Sequence, residues 1–243
     1  MLSDQKVIVT GAASGIGREI VLQCLNEGAA VIACDIDADR LRELKRDSES
    51  PRLHTYPLNV GSYEEVVAFF DDMDQTHADI NALVNNAGIY LGKSMLDYTV
   101  PEIDTVLDVN IKGYIYFSQL FGKRLMSRKT QGVIVNISSV SGQEGSSDAV
   151  YGLTKAAILG LTKSNAMNFS PHIRVNAVAP TMVNTPMMER IPDWRKEEYV
   201  DHQLVKQPLQ PEDVAQTVIF LLSRKSRHYT GATFDINGGC YVR

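Results

Sequence analysis

The stretch Lys6-Val7-Ile8-Val9-Thr10-Gly11-Ala12-Ala13-Ser14-Gly15-Ile16-Gly17 decides the architecture. Residues 6–10 form a short apolar run closed by glycine, which reads as a buried strand. Residues 15–27 then carry helical periodicity, stopped by Gly28. A second apolar run at 30–34 ends at Asp35. Strand, glycine turn, helix and strand make a βαβ unit, whose crossover helix returns the chain parallel to its first strand.

The alternation continues to the end of the chain. Further strands are predicted at 53–58, 80–84, 133–137, 173–178 and 233–236. Helices are predicted at 39–46, 64–75, from Pro101 to about 127, from Ala149, and at 212–222. This pattern predicts a single-domain α/β protein over residues 1–243. Its core would be a Rossmann-type doubly wound parallel β-sheet with helices on both faces. Ligands in such folds bind beyond the carboxyl ends of the strands.

Composition narrows the class. The chain has 243 residues, 44% hydrophobic and 22% charged, with a formal charge of -5. That balance suits a globular protein and gives no electrostatic reason to expect nucleic acid or an anionic membrane. The apolar run Val218-Ile219-Phe220-Leu221-Leu222 is far too short to span a bilayer. Met1-Leu2-Ser3-Asp4 leads straight into the first strand, so no secretory signal is expected. Cys24, Cys34 and Cys240 are scattered, and the five histidines show no ligand spacing. The expectation is a cytoplasmic protein with reduced thiols and no metal.

Two motifs carry chemistry. In the turn from Thr10 to Gly17, glycines permit a tight bend and let backbone N–H groups approach a pyrophosphate at a helix N-terminus. Asp35, at the end of the second strand, can accept hydrogen bonds from adenosine ribose hydroxyls and repel the extra phosphate of NADP. Ile36 offers no compensating charge, and Ser14 stands where a basic residue could serve a phosphate. The cofactor expected is NAD. Farther on, Tyr151 and Lys155 lie four apart in a helical pattern, so their side chains leave one face a turn apart. The strand at 133–137 ends in Ser138-Ser139, bringing a hydroxyl to that face. Free tyrosine titrates near pH ~10, and a neighbouring ammonium favours its phenolate. Such a trio suits proton transfer at an alcohol or carbonyl oxygen.

With Gly11/Gly15/Gly17, Asn85-Asn86-Ala87-Gly88, Asn110, Ser139 and Tyr151/Lys155 in this order, the chain resembles a short-chain dehydrogenase/reductase over essentially its whole length. The resemblance implies Tyr151 as the catalytic acid/base and Lys155 as the residue that binds the nicotinamide ribose and lowers the tyrosine pKa. It implies that Ser139 polarises the substrate oxygen and that Asn110 supports a relay water near Lys155. Cofactor contacts would come from Gly11, Ser14, Gly15, Ile16, Gly17, Asp35, Asn59, Val60, Asn86, Ala87 and Gly88. Tyr151, Lys155, Pro180, Val183 and Thr185 would complete them. Three positions depart from the family pattern: Asn59 and Asn237 replace the usual Asp, and Thr181 replaces the usual Gly. Dimers or tetramers are implied, built on the helix after Pro101 and the helix bearing Tyr151.

Residues 182–206 fall where this fold carries a substrate lid. Met187, Met188, Ile191 and Trp194 can form an apolar cover. Arg190, Arg195 and Lys206 can instead clamp a carboxylate. Between Ser139 and Tyr151, the polar residues Gln143, Glu144, Ser146 and Ser147 favour a small hydroxylated or hydroxy-acid substrate. Substrate contacts are expected from Ser139, Gln143, Glu144, Tyr151 and Arg190. The function expected is hydride transfer between NAD and a small secondary alcohol or ketone, such as a hydroxy acid or polyol. The alternatives are an NADP-dependent 3-oxoacyl thioester reductase and a non-catalytic NAD-binding redox sensor.

Overall fold

A computed structural model describes every residue except Pro192 and Arg243, and for Arg190 the backbone alone. Its sheet has seven strands in the order β3-β2-β1-β4-β5-β6-β7, and all neighbours pair parallel. The strands are β1 (Lys6–Thr10), β2 (Ala30–Asp35), β3 (Leu53–Pro57), β4 (Ala82–Asn85), β5 (Gly132–Ile137), β6 (Ile173–Pro180) and β7 (Thr233–Ile236). The order reverses between β1 and β4, opening a crevice at their carboxyl ends where helices depart to opposite faces.

Each face of the sheet has its own core. On one side α1 (Gly15–Asn26) and α8 (Pro211–Leu222) bury Ile20, Val21, Val214 and Val218 against Val7, Val9 and Val31. On the other, α3 (Tyr63–Thr76) and α5 (Gly113–Arg128) bury Phe69, Phe70, Phe117 and Phe121 against Ile8, Ile32 and Ile134. Alternate residues of one strand therefore feed opposite cores, which is why these strands read as unbroken apolar runs. α2 (Ala38–Ser48) covers the β2–β3 edge.

One element differs from the sequence expectation. The helix after Pro101 is three pieces: α4 (Val100–Leu107), a π-turn (Asp108–Lys112) and α5. The polar Asn110 sits in the middle of the π-turn and is fully buried. Its side chain holds the loop after β4: Oδ1 accepts from Ile89 N (2.8 Å) and Nδ2 donates to Ile89 O (2.9 Å). The helix bearing Tyr151 is α6 (Ala149–Asn168), whose polar Thr162 accepts a buried hydrogen bond from Asn136 Nδ2 (3.0 Å). Residues 182–206, where a lid is expected, contain a 3-10 turn (Pro186–Arg190) and α7 (Asp193–His202). No helix among the described residues is long and apolar enough to cross a membrane.

Candidate active site

A cavity of about 520 Å³ opens at the crevice between β1 and β4. At one end are Gly11, Ser14, Gly15, Ile16 and Asp35; at the other are Ser139, Tyr151 and Lys155. Backbone geometry explains the glycines. Gly11 (φ +63) and Gly15 (φ +51) occupy the left-handed region, and a Cβ on Gly11 would lie 2.7 Å from Ala87 Cα. Gly17 is not on the cavity wall; a Cβ there would fall 1.9 Å from Gly11 O, so its lack of a side chain lets α1 close on the turn. Asn86 locks the same turn to the β4 loop, donating from Nδ2 to Thr10 O and Gly11 O, both 3.0 Å. The result is a smooth cradle with backbone facing the cavity, a surface that fits a dinucleotide pyrophosphate.

Asp35 is held rather than free. Its Oδ2 accepts from Ala13 N (2.9 Å) and its Oδ1 from Asp37 N (3.0 Å). Both oxygens retain a second lone pair, so the carboxylate can still accept from hydroxyls at the cavity wall. Asn59, Val60, Ala87, Gly88, Pro180, Val183 and Thr185 also line the cavity. The sequence-predicted cofactor set is thus gathered in one place, apart from Gly17.

At the far end β5 delivers two adjacent serines with different duties. Ser138 Oγ donates to Lys155 O (2.7 Å) and ties the strand to α6. Ser139 Oγ accepts from Ser141 N (3.1 Å) and donates to Pro180 O (3.4 Å), and it stands near enough to Tyr151 to favour its phenolate. Lys155 is buried, donates to Ile137 O (2.9 Å), and its ammonium lies 5.6 Å from the centre of the Tyr151 ring. Burial pushes the Lys155 pKa down to about 8. Burial also governs Tyr151, raising it well above its ordinary value; Ser139 pulls it down, while Tyr90, Tyr199 and Asp148 push it further up. This direction is opposite to the one expected from the Tyr–Lys spacing alone, because desolvation of the buried phenolate dominates.

The structure brings some predicted side chains elsewhere. Asn110 lies behind the wall, its amide committed to Ile89 and to Thr154 Oγ1 (3.2 Å), so its side chain positions the loop rather than facing the cavity. Gln143 also leaves the cavity: its Nε2 donates to Asp235 Oδ1 (2.6 Å) on β7, within reach of the 3-10 turn (Val140–Gly142) that precedes it. Glu144 lines a neighbouring cavity instead. Lys206 closes the end of α7, donating to Val200 O (3.0 Å) and Asp201 O (2.8 Å), and does not reach the site. The predicted contact from Arg190 lies outside the described residues. Arg195 does line the cavity, with Glu198 Oε2 2.6 Å from its Nη1.

Sequence reasoning missed Tyr90, Tyr199 and Asp148. Tyr90 packs edge-on to Tyr151, ring centres 5.1 Å apart. Asp148 caps α6 and is fully buried. It accepts from Tyr151 N (3.0 Å), Gly92 N (3.0 Å) and the Tyr98 hydroxyl (2.8 Å). An N-cap Asp before a helix was a visible signal; its long-range partners were not. Among the described residues, no group of three or more His, Cys, Asp or Glu is arranged to hold a metal ion.

Known proteins share this arrangement. A family model described as Enoyl-(Acyl carrier protein) reductase matches residues 11–241. The chain is 35% identical to the 3-oxoacyl-[acyl-carrier-protein] reductase FabG of Thermotoga maritima, covering 99% of each. It is 35% identical to the L-xylulose reductase of Mus musculus, covering 98% of this chain and 97% of that one. Among solved structures, the short-chain dehydrogenase/reductase SDR:Glucose/ribitol dehydrogenase of Brucella melitensis superposes with a TM-score of 0.91 at 27% identity, covering 99% of this chain and 98% of that one. A 4-hydroxyisoleucine dehydrogenase complexed with NADH gives 0.90 at 29%, covering 97% and 98%. The chain belongs to the short-chain dehydrogenase/reductase family. It is accordingly an oxidoreductase of alcohol and keto groups that works with a nicotinamide cofactor.

Proposed function

We propose that this oxidoreductase uses NAD and interconverts a small secondary alcohol and its ketone, with Tyr151 moving the proton. One observation carries the reading: Ser139, Tyr151 and Lys155 share a wall of the cavity whose other end is the glycine cradle and Asp35. The cradle would hold the pyrophosphate, Asp35 the adenosine ribose, and Lys155 the nicotinamide ribose. Bound nicotinamide supplies the hydride acceptor or donor and, when oxidised, a positive charge beside the phenol.

In the oxidising direction Ser139 holds the substrate hydroxyl against Tyr151. The O–H proton passes to the Tyr151 phenolate as the C–H bond gives up its electron pair and the C=O bond forms. Tyr151 then returns its proton to solvent through the open cavity. The burial that raises Tyr151 makes the phenolate costly without nearby positive charge, so acid/base action depends on Lys155 staying protonated. Asn110 acts at one remove, fixing Ile89 and with it the loop after β4.

NAD is preferred because the Asp35 carboxylate stands where a 2′-phosphate would go and Ile36 beside it is apolar and exposed. The NADH complex of the 4-hydroxyisoleucine dehydrogenase supports that choice. A 3-oxoacyl thioester reductase is the second reading, favoured by the name of the Thermotoga relative. Residues 1–243 form one catalytic domain with its lid at 182–206, working in the cytoplasm as a dimer or tetramer.

The test is spectrophotometric. NAD and NADP are each supplied with secondary alcohols, polyols, hydroxy acids and 3-hydroxyacyl thioesters, for wild type and Tyr151→Phe. The expected result is NAD-linked alcohol oxidation that falls by about 10³ or more in the mutant. Equal turnover in Tyr151→Phe would sink the acid/base assignment. A strong preference for NADP with thioesters would establish the second reading.

A further inference from the structure

Beside the proposed reaction centre lies a second cavity of about 280 Å³, lined by Glu144, Ser146, Arg195, Glu198, Tyr199 and His202 among others. Ser146, Arg195 and Tyr199 line both cavities, so the two spaces share a wall. Glu144 and Ser146 come from the loop between β5 and α6, whereas Arg195, Glu198, Tyr199 and His202 come from α7. The second cavity therefore exists where the lid helix meets the loop that follows Ser139.

Its polar groups on α7 are linked to one another. Arg195 Nη1 donates to Glu198 Oε2 (2.6 Å), and Nη2 donates to the Tyr199 hydroxyl (3.4 Å). The guanidinium also lies over the Tyr199 ring, 4.7 Å from its centre. Glu144 lines the same wall, and burial together with that carboxylate pushes the Tyr199 phenol up to about 12. Arg195 is thus already neutralised by Glu198, and Glu144 leaves the wall with two carboxylates against one guanidinium. A carboxylate or phosphate entering here would meet like charge. An acyl chain would cover part of the exposed Glu144 carboxylate and of Glu198 with apolar surface, a desolvation cost that hydroxyls avoid. Hydroxyl groups meet neither difficulty, because each can donate to Glu144 and accept from Arg195 or Tyr199.

We propose that this second cavity is the subsite for the distal hydroxyls of a polyol or of the corresponding hydroxylated ketone. The inference rests on the alcohol-oxidising reading above and narrows its substrate. The reacting carbon sits at Ser139 and Tyr151, and the remaining hydroxyls lie against Glu144, Tyr199 and Arg195. Arg195 is therefore a hydroxyl-binding residue here, in place of the carboxylate clamp that its charge alone suggests.

The experiment compares pentitols (xylitol, ribitol and arabinitol) with 2-pentanol and 2-hydroxypentanoate, which share their chain length. With NAD, the best pentitol should exceed both analogues in kcat/KM by at least about tenfold. Glu144→Ala should bring the pentitol-to-pentanol ratio toward one, chiefly by raising the pentitol KM. Parity in wild type, a preference for 2-hydroxypentanoate, or an unaltered ratio in Glu144→Ala overturns the subsite while leaving the alcohol-oxidising reading intact.

Binding is measured separately through Trp194, the single tryptophan of the chain, which opens α7 beside Asp193. In the presence of NADH, pentitols should change its fluorescence saturably, and Glu144→Ala should weaken that response about tenfold. A saturable response without turnover of any alcohol upholds the subsite and sinks the oxidation reading. No pentitol response together with no pentitol turnover overturns the subsite.

Discussion

Lys155 shows what a working site asks of one side chain. Its ammonium is buried and its pKa is pushed down to about 8 from the usual 10.5. A lysine with a folded pKa below its unfolded one destabilises the fold while it is charged. That penalty is complete below about pH 8 and disappears as pH rises toward 10.5. Desolvation on this scale is worth roughly 3 kcal/mol. Whatever Lys155→Met loses in its bond to Ile137 O, wild type should gain stability relative to the mutant between pH 7 and 10. Urea denaturation at both ends of that range reads the difference, and a flat difference would show that the buried ammonium costs nothing. The same depression sets an upper limit on activity: once Lys155 deprotonates, the positive charge that Tyr151 needs is gone. Alcohol oxidation should therefore decline above roughly pH 8–9, on the alkaline limb of a kcat profile.

At the scale of the element, the N-terminus of α6 is the joint on which the site hangs. Asp148 caps that helix through Tyr151 N and holds the loop after β4 through Gly92 N and the Tyr98 hydroxyl. Replacing it with alanine removes a cap worth about 1–2 kcal/mol. It also leaves buried donors unpaired at about 1–3 kcal/mol each. Asp148→Ala is expected to lose about 3 kcal/mol or more in urea unfolding, and Asp148→Asn, which keeps an acceptor, far less. A loss under about 1 kcal/mol in the alanine variant would show that the joint is redundant. Much of this region was legible in the sequence: the serine pair, the loop and the Tyr–Lys spacing follow from strand and helix periods. Tyr90 and Tyr199 were not legible, since they arrive from the β4 loop and from α7 through tertiary packing that no local pattern encodes. The direction of the Tyr151 shift was hidden for the same reason, because desolvation depends on everything packed around the ring.

For the whole molecule, the doubly wound parallel sheet was readable because its central strands, buried on both faces, are plain apolar runs. The break in the helix after Pro101 was readable only as a polar residue in an awkward place. α6 also carries Gly152, Ala156 and Gly160 along one side. A Cβ on Gly152 would lie 3.0 Å from Ser146 Cβ, so that glycine serves the protein's own loop, whereas Gly160 has nothing within 4 Å. Leu153 and Met167 on the same helix are 59% and 80% exposed. The surface fits the expected assembly of subunits on α5 and α6. Light scattering should give a dimer or tetramer mass, and Gly160→Arg should reduce it; a monomeric wild type would dismiss the assembly.

The π-turn at Asp108–Lys112 has a consequence for how the gene can change length. Removing one residue from an ordinary helix rotates everything after it by about 100° and scrambles the buried face. A π-turn already holds one residue more than an α-helical turn. Deleting Val109 would leave a continuous helix with Tyr114, Phe117 and Phe121 still facing the sheet, while moving Asn110 off the Ile89 backbone. Such a shortened chain should fold and yet turn over poorly, a frame-preserving lesion that separates the architecture from the chemistry built on it.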